Sequence, residues 1–327
     1  MSAGPQIGRE ILYLSRDDVS AVGVTASEMN DAVAAILRAK AQGAAWAPPK
    51  MAVFRPDGAS FRAKGGALSR PGYGAVKWFG YFPGNERARL PDFVPLIFLN
   101  EGETGMPVAI MDGVVISAQR TAALSAVAAR YMARREASSV GFIACGSQAR
   151  SNLEALQAEF SLRRVVAYSR STTTAEAFAA FAETRGLAAA VAADPNQAIA
   201  DVDIVVSSVP HTAAGGGFLD ARGLSPGSFV SMVDLGYSWI ASSFGALDRV
   251  FTDDVAESGP GGSEKLNYAG TYAGDLADLV AGKIAGRLEP DERNALVFAG
   301  TGLADVAAAV AVYERAVSRG IGRILPL

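Results

Sequence analysis

The sequence predicts an α/β fold: a doubly wound parallel sheet joined to a smaller α+β domain. Three observations carry this. From residue 118 onward, short apolar runs alternate with helical stretches, as parallel strands with helical crossovers require. Before that point, β-rich runs with many Gly and Pro punctuators surround a single amphipathic helix. The length, 327 residues, suits two cores better than one.

The N-terminal region opens with "TASEMNDAVAAILRAKAQG", which puts Met29, Val33, Ile36 and Leu37 on one helical face and offers Gly43 as a stop. Strand candidates follow in "GAVKWFGYF" and "VVISA". "VPLIFLN" and "PVAIMDG" flank "EGETGM" as a hairpin. Next, "QRTAALSAVAARYMAR" reads as a helix starting near Arg120. Beyond it the strands are "SVGFIACG", "RRVVAYSR", "AAAVAA", "VDIVVSSVP", "SFVSMVDLG" and, as the last, "DRVFTDD". The closing stretch "GLADVAAAVAVYERAVSRG" is a helix set apart from the sheet by a Gly-rich turn. The expected division is residues 1–117, completed by 303–327, against residues 118–302.

Composition excludes several classes. A formal net charge of −3 argues against a nucleic-acid groove or an anionic membrane as partner. One Cys and one His cannot build a structural zinc site, and no metal is expected. No signal-peptide pattern or bilayer-length apolar run is visible, so a cytoplasmic protein is expected.

The strand "VGFIA" runs into Cys145 and Gly146, and a helix is expected from Ser147, with a second strand about 20 residues on. This is the setting of a dinucleotide turn, and hence of a Rossmann-type sheet. Gly146 stands where the backbone approaches a pyrophosphate, and Ala149 takes the third fingerprint position. Ala144 occupies the first glycine position, where an extended conformation would tolerate its methyl group. The second strand ends in Ser169, Arg170, Ser171 and Thr172 rather than in the carboxylate that holds an NAD ribose. A guanidinium among hydroxyls suits a 2′-phosphate, so NADP(H) is favoured over NAD(H). A surface arginine beside a helix cap remains the plainer alternative.

Three segments, "KWFGYFPGN", "DGVVISAQRTAALSAVAARYMA" and "GFIACGSQARSNLEAL", together with the tail "GTGLADVAAAVAVYERAVSRGIGRILPL", resemble the ornithine cyclodeaminase/mu-crystallin family over nearly the whole chain. The resemblance implies a homodimer, a substrate and dimerisation domain completed by the last helix, and NAD(P) chemistry at the α-carbon of amino or imino acids. Lys77 and Arg120 match the family's carboxylate-binding lysine and arginine, and Lys50 falls where an arginine is usual. Asp234 aligns with the acid/base aspartate and is counted as catalytic together with Lys77. An Asp234 that merely forms a turn with Gly236 is the alternative. The expected cofactor contacts are Arg120, Thr121, Gly146, Ser147, Gln148, Ala149, Ser169, Arg170, Ser171, Ser208, Val209, Pro210, Val233 and Gly300.

After Asp234 the chain departs from the family pattern, with "LGYSWIASSFGALD" in place of a Pro-Gly-Lys segment. Tyr237 and Trp239 are read either as lining a more apolar pocket or as packing against the neighbouring domain. His211 is read as a loop histidine, and Cys145 as a small packed residue. The leading expectation is an NAD(P)H-dependent reductase of α-imino acids, run in reverse as an amino-acid dehydrogenase. A redox-neutral cyclodeaminase and a non-catalytic cofactor-binding protein are the alternatives.

Overall fold

The computed structural model describes residues 4–210, 216–258 and 265–327. They fall into two compact units, Met1–Arg120 with Thr301–Leu327, and Thr121–Gly300. No helix among the described residues is long and apolar enough to cross a membrane.

The first unit holds β1 (Glu10–Leu14), α1 (Arg16–Val22), α2 (Ala26–Ala41), β2 (Ala45–Trp46), β3 (Met51–Phe54), β4 (Ser60–Ser69), β5 (Gly72–Tyr81), β6 (Phe93–Glu101), β7 (Pro107–Asp112) and the start of α3 (Val114–Met132). Helix α2 has a capping box in which Thr25 and Glu28 satisfy each other's backbone N–H groups. Strands β4 to β7 form an antiparallel meander, and buried residues alternate with more exposed ones along β5 and β6, as in a sheet covered on one face.

Two expectations fail at α3. "VVISA" is the first turn of this helix, not a strand. Asp112 caps it by accepting from the Val114 N–H at 2.9 Å, which overrides the strand preference of Val114, Val115 and Ile116. Arg120 therefore sits inside the helix rather than at its start.

The second unit holds β8 (Ser139–Ile143), α4 (Ser147–Gln157), β9 (Arg164–Tyr168), α5 (Thr172–Glu183), β10 (Ala188–Val191), α6 (Pro195–Ile199), β11 (Ile204–Ser207), β12 (Phe229–Met232), β13 (Arg249–Thr252), α7 (Val255–Ser258), β14 (Gly274–Asp275), α8 (Leu276–Val280) and β15 (Asn294–Val297). Its parallel sheet runs β10-β9-β8-β11-β12-β15-β13-β14. Strands β8, β11, β12 and β15 are buried at every position, the mark of a sheet covered on both faces. The strand order reverses between β8 and β11, which puts the ligand crevice of such a sheet at their carboxyl ends. "DRVFTDD" is not the last strand: β15, in "NALV", inserts between β12 and β13, and the short β14 closes the edge.

The chain then returns to the first unit with α9 (Gly302–Arg319) and β16 (Arg323–Pro326), which pairs with β1. Helix α9 lies on β4 and β5, and its first turn comes very close to them. A Cβ on Gly302 would run into the backbone of Gly65, and one on Gly66 into Leu303. Only glycines permit that approach.

Candidate functional site

In the second unit, a cavity of about 720 Å³ lies at the carboxyl ends of β8, β9 and β11. Gly146, Ser147 and Gln148 line it from the first turn, Ser169, Arg170 and Ser171 from the second strand's end, and Ser208, Val209 and Pro210 from the third. Helix α4 begins at Gly146 with no side-chain cap, so its first N–H groups keep their capacity for an external acceptor. A Cβ on Gly146 would meet nothing within 4 Å, so the space beside this backbone is open. These features fit a dinucleotide: an uncapped helix start for the pyrophosphate, and one exposed guanidinium with hydroxyls for the far ribose.

Of the other residues expected to touch a cofactor, Ala149 is fully buried under the turn, Thr121 is buried, Val233 is half-buried after β12, and Gly300 precedes α9. None of these four, nor Arg120, lines the cavity.

The turn corrects one expectation. Ala144 is not extended; it adopts a left-handed conformation with φ 68°. The position has the backbone of a glycine without the glycine, at a cost of about 1–2 kcal/mol. The Ala144 N–H donates to the Tyr168 carbonyl at 2.9 Å, and its own carbonyl accepts from the Ser208 hydroxyl at 3.0 Å. Those bonds hold the strained residue in place. Cys145 is buried, and burial pushes its thiol up to about 12, so it is a packed residue and not a nucleophile.

Asp234 follows β12 and is 6% exposed. Its Oδ1 accepts from the Ser207 hydroxyl at 3.0 Å and the Gly236 N–H at 3.2 Å. Its Oδ2 accepts from the Ser238 hydroxyl at 2.6 Å and the Val209 N–H at 3.3 Å. Burial outweighs these bonds and pushes the carboxyl up to about 6. The turn with Gly236 is thus present, and both oxygens are occupied by this unit's own donors.

Trp239 is fully buried in this unit's own core, and its Nε1 donates to Ser207 at 3.0 Å. Tyr237 donates its hydroxyl to the Lys265 carbonyl at 2.9 Å. His211 lies outside the described residues.

The first unit contains a second polar centre. Lys77, in β5, is 2% exposed, and its Nζ donates to Asp305 Oδ1 at 2.8 Å. Arg120 Nε stands 3.0 Å from the same oxygen, and Arg120 is 7% exposed. Lys64, also buried, is the cross-strand partner of Lys77. Burial first, and Arg120 second, bring Lys77 down to about 7, while Asp305 pulls it back up. Burial alone would raise the Asp305 carboxyl, yet Arg120 and Lys77 hold it below the usual carboxylate range. Among the described residues, Arg120 Nε and Nη1 and Asp305 Oδ2 have no hydrogen-bond partner, so the Nε–Oδ1 approach is an ion pair and not an aligned hydrogen bond. Lys50 is buried between β2 and β3.

Sequence reasoning missed Asp305 and Lys64. For Asp305 a signal existed: in "GLADVAAAV" it is the lone charge in an otherwise apolar helical run, where a carboxylate is tolerated only against a buried cation.

Comparison with known proteins adds four findings. Residues 10–320 match the model of a family described as the ornithine cyclodeaminase/mu-crystallin family. An alanine dehydrogenase of Archaeoglobus fulgidus is 32% identical over 324 residues, covering 96% of this chain and 97% of that protein. A Delta(1)-pyrroline-2-carboxylate reductase of Bacillus cereus is 29% identical over 255 residues, covering 76% of this chain and 78% of that protein. Among solved structures, an archaeal alanine dehydrogenase dimer with bound NAD superposes with a TM-score of 0.83 at 28% identity, covering 97% of this chain and 99% of that one.

Proposed function

The chain belongs to the ornithine cyclodeaminase/mu-crystallin family, and on that premise we propose that it is an NAD(P)-dependent oxidoreductase interconverting an α-amino acid and its α-imino acid. The observation that carries this reading is the buried group Lys77, Arg120 and Asp305. Two cations lie against one carboxylate oxygen, and two guanidinium nitrogens, Nε and Nη1, are left without a hydrogen-bond partner. A buried arginine with an unfilled donor is a receptor for an anion, and a substrate carboxylate fills it with charge-assisted bonds. The relatives named alanine dehydrogenase and Delta(1)-pyrroline-2-carboxylate reductase support the same reaction class.

In this reading Lys77 and Arg120 hold the carboxylate and so fix the α-carbon, with Lys50 as a further cation. The nicotinamide, when bound, supplies or removes hydride at that carbon. Asp234 serves as the acid/base group for the substrate nitrogen; a protonated imine accepts hydride far better than a neutral one. Arg170, with Ser169 and Ser171, favours NADP(H) over NAD(H), since no carboxylate stands there to repel a 2′-phosphate. The chain acts as a homodimer. The first unit exposes Trp46, Met51, Val76, Trp78 and Leu96, an apolar set of the kind a second copy covers.

The deciding experiment is an absorbance screen for NADPH and NADH loss on α-imino acids such as pyrroline-2-carboxylate and piperideine-2-carboxylate. An ammonia assay with ornithine, lysine and arginine under NAD+ runs beside it. Stoichiometric consumption of reduced cofactor is expected. Ammonia released from ornithine without net cofactor change would replace this reading with a cyclodeaminase.

A further inference from the structure

We propose that Asp305 is the positioning residue of the carboxylate receptor: it gathers Lys77 and Arg120 on one oxygen, so that their remaining donors face a single anion. The inference rests on the receptor reading above and assigns a role to a residue that would not itself touch the substrate.

The geometry separates this role from simple charge neutralisation. Asp305 Oδ1 takes Lys77 Nζ at 2.8 Å and stands 3.0 Å from Arg120 Nε. Lys77 lies on a strand and Arg120 on a helix, so the shared oxygen sets the spacing between their head groups. Asp305 Oδ2 has no hydrogen-bond partner, and neither have Arg120 Nε and Nη1. One carboxylate also cannot cancel both cations, so the cluster keeps positive charge for a ligand.

The fold commits Asp305 to this place. It sits in the first turn of α9, capped by Thr301, where a carboxylate is favoured by the helix dipole. The Gly302–Gly65 approach presses that turn onto the strand pair carrying Lys64 and Lys77.

The charged groups acting on Lys77 are Arg120 from α3, Asp305 from α9 and Lys64 from β4, and the Phe79 ring of its own strand stands 5.8 Å from its Nζ. Of these charges, Asp305 alone favours the protonated amine. Removing it lowers the pH at which Lys77 loses its proton and its grip on an anion.

The test is Asp305→Asn in the full chain, followed by kcat/KM for an imino acid across pH at saturating reduced cofactor. The expected result is a rise in KM of about ten-fold or more at the alkaline end. The alkaline limb should move down by about one pH unit, and cofactor affinity, read by fluorescence titration, should be unchanged. An alkaline limb that stays in place overturns the proposal, even if activity falls. Should the Asn variant fail to fold, Asp305→Glu decides. It keeps the charge but displaces the oxygen, so the limb should stay near the parental pH while KM rises; a parental KM overturns the proposal. Lys77→Met separates the two levels. If it too leaves KM unchanged, the receptor reading itself fails. If it abolishes turnover while the Asp305 variants are silent, only the role of Asp305 fails.

Discussion

Two buried aspartates, one in each unit, have opposite surroundings. Asp234 accepts four hydrogen bonds from its own turn and the neighbouring strand, and no cation pairs with it among the described residues. Asp305 gives one oxygen to two cations and leaves the other without a partner. Burial therefore raises the first carboxyl, while the second is held low. Depth does not distinguish these residues; the bonding capacity left over does. The first organises a turn through both of its oxygens, whereas the second gathers two cations on one oxygen.

The largest way to break this contrast is Lys77→Met. It leaves Asp305 buried with one cation fewer and should cost about 3–5 kcal/mol of stability along with turnover. Denaturant unfolding of the single variants and of Lys77→Met/Asp305→Asn tests the coupling, because the double variant should lose less than the sum. Additive losses would mean that the pair is not a unit.

Next comes Asp234→Asn. An amide presents an NH₂ to donors that need an acceptor, so the variant should lose about 3 kcal/mol through two broken charge-assisted bonds. A fully stable variant would show that the four bonds are not all made in solution.

The pH dependence of the apo protein sharpens the comparison. Asp234 binds its proton more tightly folded than unfolded, so its contribution is present below pH 3.8 and lost as pH rises to about 6. Lys77 binds its proton less tightly folded, so stability should rise between about pH 7 and 10.5. Thermal melts across pH should show both slopes. The acidic slope should vanish in Asp234→Asn, and the alkaline one in Lys77→Met.

The smallest effect belongs to an exposed cation. Arg170→Ala should weaken NADPH by about 1.5–3 kcal/mol and leave NADH nearly unchanged. Equal losses in the two titrations would remove Arg170 from phosphate recognition.

What the sequence made legible was local. The strand–turn–helix at 139–157 and the alternation after it can be read from runs of apolar residues and their spacing. The start of α3 was hidden because Val114, Val115 and Ile116 favour strands, and only the Asp112 cap tips them into a helix. The left-handed Ala144 could not be read because a methyl group says nothing of φ. Strand β15 is four residues long and gains its identity only from two neighbours in the sheet. Trp239 and Asp234 depend on Ser207, which lies on a different strand. Asp305 and Lys77 are 228 positions apart, a pairing that no window along the chain can show.

That separation also orders events during synthesis. The whole of the parallel-sheet unit, residues 121–300, is translated between the strand carrying Lys77 and the helix carrying Asp305. A contiguous unit can close as it leaves the ribosome, whereas β4 and β5 must wait for α9, with a buried lysine and an uncovered apolar face, until some 200 further residues have been made. The nascent chain thus holds a finished parallel-sheet unit before Lys77 and Arg120 meet Asp305, and it is the interval in between that exposes the protein to misassembly.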